Sequence, residues 1–125
     1  MPDDPIPREI RDFIARYIDS VAQIEALLLL RHNPVETWDR RRVAERLYIS
    51  EDEATLFLTR LCDDGFLSAS DGIYRYDCRA PELAATVDRL AERYKSHLIP
   101  ITNLIHAKPR RIREFADAFR LKRDE

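Results

Sequence analysis

Residues 39–78 read DRRRVAERLYISEDEATLFLTRLCDDGFLSASDGIYRYDC, and the punctuation of this stretch decides the fold. Asp39 stands at an N-cap position, and Arg42, Val43, Ala44 and Leu47 follow at helical spacing. Tyr48-Ile49 makes a short turn. Ser50, with Glu53 three residues on, has the spacing of a capping box, so a second helix starts there. That helix carries Ala54, Phe57, Leu58 and Leu61 on one face and stops at Gly65, because glycine ends helices in the left-handed conformation without a steric penalty. Residues 66–69 and 73–78 are short β-prone runs separated by Ser70-Asp71-Gly72, and Asp-Gly between such runs is a strong hairpin signal. The stretch predicts helix, tight turn, helix, β-hairpin.

On the N-terminal side, Pro7 suits a first helical turn, and Ile10, Phe13, Ile14, Tyr17 and Ile18 recur at helical spacing. Ser20 offers an N-cap to a second, more apolar run through Val21, Ile24, Leu27, Leu28 and Leu30. Two helices and one bent rod fit this pattern equally well. Asn33-Pro34 ends it, and Glu36-Thr37-Trp38 is a short extended segment. On the C-terminal side a long helix begins after Ala80-Pro81, with Leu83, Val87, Leu90, Ala91, Tyr94 and Leu98 in steps of three and four. Pro100 should kink or break it, and Ile101, Leu104 and Ile105 continue its apolar face. Lys108-Pro109 opens a last amphipathic helix with Ile112, Phe115, Ala116 and Phe119 on one side and basic residues on the other.

A chain of 125 residues is enough for one domain. Its 45% apolar and 35% charged residues fit a globular protein with a solvated surface. Two glycines are too few for a large β architecture or a glycine-rich phosphate loop. Two cysteines, Cys62 and Cys78, are too few for a disulfide framework or a zinc knuckle, which points to a reduced, cytoplasmic setting. The start, Met1-Pro2-Asp3-Asp4-Pro5, is the opposite of a signal peptide, and the longest apolar run, 26–30, is far too short to span a bilayer. The net charge of −2 conceals an asymmetry. Residues 108–125 hold seven Lys/Arg and four Asp/Glu, a net of +3, which leaves −5 on residues 1–107.

Val43, Ala44 and Leu47 pack the first helix of the pair, Ile49-Ser50 makes the turn, Ala54, Leu58 and Leu61 pack the second, and Gly65-Phe66-Leu67 leads into the hairpin. On these residues the segment 20–78 resembles the winged helix-turn-helix domain of bacterial regulators of the MarR and PadR types. The resemblance implies a mainly α fold with a small β-hairpin, a winged helix-turn-helix with flanking N- and C-terminal helices. In a single domain, 1–19 would be an N-terminal extension, 20–78 the winged core, 80–107 a long dimerisation helix and 108–125 a basic C-terminal helix. It also implies that the second helix of the pair lies in the major groove of double-stranded DNA. Its N-terminal Ser50 and the outward positions Glu51, Asp52, Thr55, Leu56, Thr59 and Arg60 would face the bases. Arg40, Arg41 and Arg42 would meet the backbone, with Arg60 and the wing residue Arg75 adding phosphate contacts. A homodimer built by the flanking helices is a further implication. Phe13, Tyr17, Leu90, Tyr94, Leu98, Ile101 and Ile105 supply the apolar load for it, and the alternative is that they cover a monomer's core.

The groove-facing helix departs from the pattern of such regulators. Glu51, Asp52 and Glu53 suit the helix dipole but repel phosphate. Residues 39–64 hold five Arg against seven Asp/Glu, and Leu56 occupies a position where a polar base reader is expected. Two partners are therefore open: DNA, or a basic or apolar protein surface met by Leu56 and the acidic helix start. The Arg40–Arg42 run fits phosphate contacts and equally fits pairing with Asp39 and Glu45. The basic tail fits DNA backbone, an acidic partner, or packing of its apolar side with its charges in water, but not a membrane surface, since Glu114, Asp117, Asp124 and Glu125 dilute it. An effector, if there is one, belongs between the winged unit and the long helix.

Catalysis finds no motif. His32, His97 and His106 lack metal-ligand spacing, and neither a nucleophile elbow nor a Walker loop occurs. Asp63 and Asp64 disfavour a thiolate at Cys62. Cys62 and Cys78 fit two packed thiols or a redox pair, and Trp38 fits a core anchor. No catalytic residue, metal or cofactor is expected, and the chain reads as a non-enzyme.

Overall fold

The computed structural model describes residues 6–108. Most of the basic helix expected over 108–125 lies outside the described residues. Six helices and two strands follow one another: α1 Arg8–Tyr17, α2 Val21–His32, α3 Arg40–Leu47, α4 Glu51–Asp63, β1 Leu67–Ser70, β2 Ile73–Tyr76, α5 Pro81–Ser96 and α6 Leu98–His106. The fold class is mainly α with a small antiparallel β-hairpin, as the sequence predicts.

The first two helices are separate. The chain is extended at Ile18 and again at Ser20, whose hydroxyl accepts the N–H of Gln23 at 3.1 Å. Gln23 is fully buried, so its amide must be satisfied within the protein. Its Oε1 accepts the N–H of Asp19 at 2.8 Å and its Nε2 donates to the carbonyl of Tyr17 at 2.9 Å, which locks the corner. Beyond it, α2 buries Ile24, Ala26, Leu27, Leu28 and Leu30, because α4, α3 and β2 all pack against it.

Asp39 caps α3 by accepting the N–H of Arg42 at 2.8 Å, and Ser50 with Glu53 forms the full capping box of α4. Between them Tyr48 takes a left-handed conformation, φ 57°. Helices α3 and α4 pack on each other, and Gly65, φ 90°, turns the chain into the hairpin. The strands are shorter at their outer ends than the sequence suggests. Ser70 pairs with Ile73, so the loop is only Asp71-Gly72, both with positive φ, the geometry that matches the twist of adjoining strands. Cys78 lies two residues beyond β2. The extended segment expected over 36–38 shrinks to an isolated bridge at Trp38, after a bend at Glu36; the carbonyl of Trp38 accepts the N–H of Tyr74 on the hairpin at 2.7 Å. Trp38 is a core anchor: its ring is fully buried and its indole N–H donates to the carbonyl of Asn33 at 3.2 Å.

The long C-terminal helix is broken between Ser96 and Leu98. Pro100 has no N–H to donate to the carbonyl of Ser96, and its ring excludes that carbonyl from the helical position. Helix α1 packs against both α5 and α6. Arg89 of α5 reaches Glu9 of α1 at 2.7 Å, and Arg31 of α2 reaches Asp88 of α5 at 2.9 Å. Phe13, Leu90, Ile101 and Ile105 are buried within the chain itself, whereas Leu98 and Ile99 remain 47% and 71% exposed. Among the described residues no helix is long and apolar enough to cross a membrane.

Candidate nucleic-acid interface

Helix α4 buries Ala54, Leu58 and Leu61. At about 100° per residue the opposite meridian carries Asp52, Leu56, Thr59 and Asp63. All four are exposed, Leu56 at 48%. Thr55 and Arg60 fall on the two edges of this face, roughly 80° either side of Asp52 or less, and both turn away from it. Thr55 is partly buried toward α3 and the hairpin, and its buried hydroxyl has no hydrogen-bond partner among the described residues. Arg60 turns to the other edge, where its Nη1 lies 3.0 Å from Oδ2 of Asp19. Sequence periodicity places both on the outer face, and distant parts of the chain draw them off it.

The structure brings several expected site residues to one place. Arg40, Arg41 and Thr55 line a cleft of about 450 Å³ together with Asp39 and the hairpin tip Asp71-Gly72. The start of α3, one edge of α4 and the hairpin tip thus share a surface. Ser50 is occupied as a cap at its border. Arg75 stands apart on β2, beside Ser68, Ser70 and Thr37, and among the described residues it has no ion-pair partner.

The other arginines are engaged. Arg40 lies 3.3 Å from Glu51, Arg41 3.1 Å from Glu45 and Arg42 2.7 Å from Glu36. Glu45, with the nearby carboxylates of Asp39 and Glu51, raises the pKa of Arg41 further. Arg42 also donates to the carbonyl of Thr37 and stacks on Trp38 with its guanidinium carbon 4.5 Å from the ring centroid. It therefore serves the architecture. The pairing with Glu45 was anticipated; Glu36, Glu51 and Asp19 were not. Tyr48 was read only as a turn residue, yet it is 95% exposed, an aromatic held in solvent by a left-handed backbone between the two helices. No local signal marks a bulky residue for that conformation.

The remaining candidate chemistry is muted. Burial pushes the thiol of Cys62 up, and the charge of Asp63 adds to it. Burial also pushes Cys78 up, partly offset by the Tyr76 hydroxyl and the Ala80 backbone beside it. Both cysteines are free. A second cleft, about 330 Å³, lies between α2, α3 and α5, with Leu28, Leu47 and Ala91 beside His32 and Lys95. It occupies the region where the sequence reading places an effector. Burial and the charges of Arg31 and Lys95 lower the pKa of His32 there. Among the described residues no group of His, Cys, Asp and Glu could hold a metal ion. No family model, curated protein or solved structure matches the chain.

Proposed function

We propose that the chain is a cytoplasmic winged-helix transcriptional regulator that docks on double-stranded DNA. In this reading α4 lies in the major groove, the Asp71-Gly72 tip and Arg75 run along the backbone, and Arg40 and Arg41 fix the register. The observation that supports it is the convergence of the α3 start, the α4 edge at Thr55 and the wing tip on one cleft. Docking on a duplex needs those three elements on one side. The ion pairs of Arg40 and Arg41 do not prevent this, since exposed pairs contribute only about 0–1 kcal/mol and phosphate offers the same partner chemistry. The protein acts as a homodimer in this reading, joined through Leu98 and Ile99. The test is fluorescence anisotropy with generic duplex DNA across a salt series. Binding that falls steeply with salt sustains the proposal. Absence of binding at low salt removes it.

A second reading is favoured by a specific observation. Glu51 and Asp52 lead α4, Leu56 stands half exposed behind them, and Tyr48 is almost wholly exposed at the adjoining turn. An acidic face with two apolar projections suits a basic, apolar protein surface, such as part of the transcription machinery. Capture of such a partner by the wild-type chain, lost in Leu56→Asp, supports this adaptor over the DNA-binding regulator.

A further inference from the structure

Asp19 is a meeting point of charges from three parts of the chain. Its Oδ2 lies 3.0 Å from Nη1 of Arg60 on α4, and its Oδ1 lies 3.3 Å from Nζ of Lys108, just past α6. Lys108 also donates to the carbonyls of Ile14 and Ile18, at the C-terminal end of α1, where the helix dipole favours a cation. The amide N–H of Asp19 is held by the buried Gln23. The carboxylate is thereby fixed in place, with its side chain only 21% exposed and Arg60 32% exposed. Arg60 sits at the edge of the outer face of α4, one turn beyond Leu56, and its long side chain turns inward to Asp19.

We propose that Asp19 is a latch that holds Arg60 off the outer face of α4, and that release of the latch adds a cation to that face. Since Arg60 is the cation on α4 itself, the latch sets how much positive charge the helix presents to a phosphate backbone. This part rests on the DNA-binding reading. The Lys108 contact makes the latch sensitive to the end of α6, because anything that draws Lys108 away leaves Asp19 with one cation fewer to hold it.

The test compares the full-length wild type with Asp19→Asn, which keeps the shape and removes the charge, and with Asp19→Asn/Arg60→Gln. Circular dichroism confirms that each is folded. Modification of Arg60 by phenylglyoxal, read by mass spectrometry, should be slow in the wild type and severalfold faster in Asp19→Asn. Equal rates overturn the latch. In anisotropy with duplex DNA, Asp19→Asn should bind more tightly and steepen the log–log salt slope by about 0.9, the value for one more phosphate contact. The double variant should return to the wild-type slope. A gain that persists in the double variant reflects the lost negative charge alone and overturns the role of Arg60. If neither protein binds DNA while Arg60 becomes reactive in Asp19→Asn, the latch stands and the DNA-binding reading falls.

Discussion

Arg40, Arg41 and Arg42 are adjacent in sequence and differ in what holds them. Arg42 is fixed by Glu36, the Thr37 carbonyl and the Trp38 ring together. Among the described residues Arg41 pairs directly with Glu45, in an i,i+4 pair whose side chains are 74% and 64% exposed. So exposed a pair is weak and screened by salt, so Arg41 is free to exchange a carboxylate for a phosphate. On the DNA-binding reading, Arg41→Glu should therefore weaken duplex binding roughly tenfold or more at low salt, as loss of a charge-assisted hydrogen bond does. It should also flatten the salt slope by about 0.9. Leu56→Asp tests the neighbouring face. With Leu56 outside the core, its substitution should move the urea midpoint by no more than about 0.5 kcal/mol of stability. Unfolding of this variant would contradict its outward placement. The two thiols give an independent check on burial. With both pushed up, less thiolate is present at pH 7.5, and iodoacetamide should alkylate Cys62 and Cys78 more slowly in the folded chain than in urea. At this scale the caps at Ser20, Asp39 and Ser50 were readable, because each bond spans three residues. The directions of Thr55 and Arg60 were not, because Asp19 lies 41 residues from Arg60.

The hairpin and the α5–α6 break are elements set by single residues. Gly72 sits at φ +76°, and a Cβ there would meet nothing within 4 Å. Its substitution is thus strained by backbone conformation and not by crowding. Gly72→Ala should cost about 1 kcal/mol, while Gly72→Asn, better suited to the left-handed region, should cost less. Thermal unfolding of the two variants orders them, and equal stabilities would show that the turn tolerates another conformation. The Asp-Gly pair made this turn legible. Pro100 made the helix break legible, though the break itself falls one turn earlier, where the missing acceptor is the Ser96 carbonyl. The corner between α1 and α2 was left open by the apolar pattern. Its decisive group is the buried amide of Gln23, whose role depends on tertiary packing that a periodicity cannot carry. Tyr76 belongs to the hairpin's inner side, where burial pushes its phenol up to about 12. Burial and the bond to Glu25 also raise Tyr94. Both favour the neutral form in the folded state, so their contribution to stability is complete below the unfolded value near 10 and declines above it. Ultraviolet titration should show Tyr76 and Tyr94 ionising later than the free phenol, a lag that disappears in urea.

For the whole molecule, the question is where the apolar surface of the flanking helices α1, α5 and α6 goes. Phe13, Leu90, Ile101 and Ile105 were candidates for a dimer seam, and they are consumed instead by the chain's own core, between α1, α5 and α6. What remains exposed on this side is the first turn of α6, Leu98 and Ile99. Two such residues on each copy make a small patch, well below the extent of an obligate interface. Any dimer through it should dissociate on dilution without unfolding. Leu98→Glu/Ile99→Glu places acids in a first helical turn, where the dipole favours them, so the variant should keep its helical content. Light scattering should then give a monomer mass for the variant at concentrations where the wild type is a dimer. In the DNA reading the variant should also lose affinity for a two-fold site more than for a half-site, because only a joined pair spans both grooves. A wild type that scatters as a monomer throughout would remove the dimer and confine recognition to a single α4.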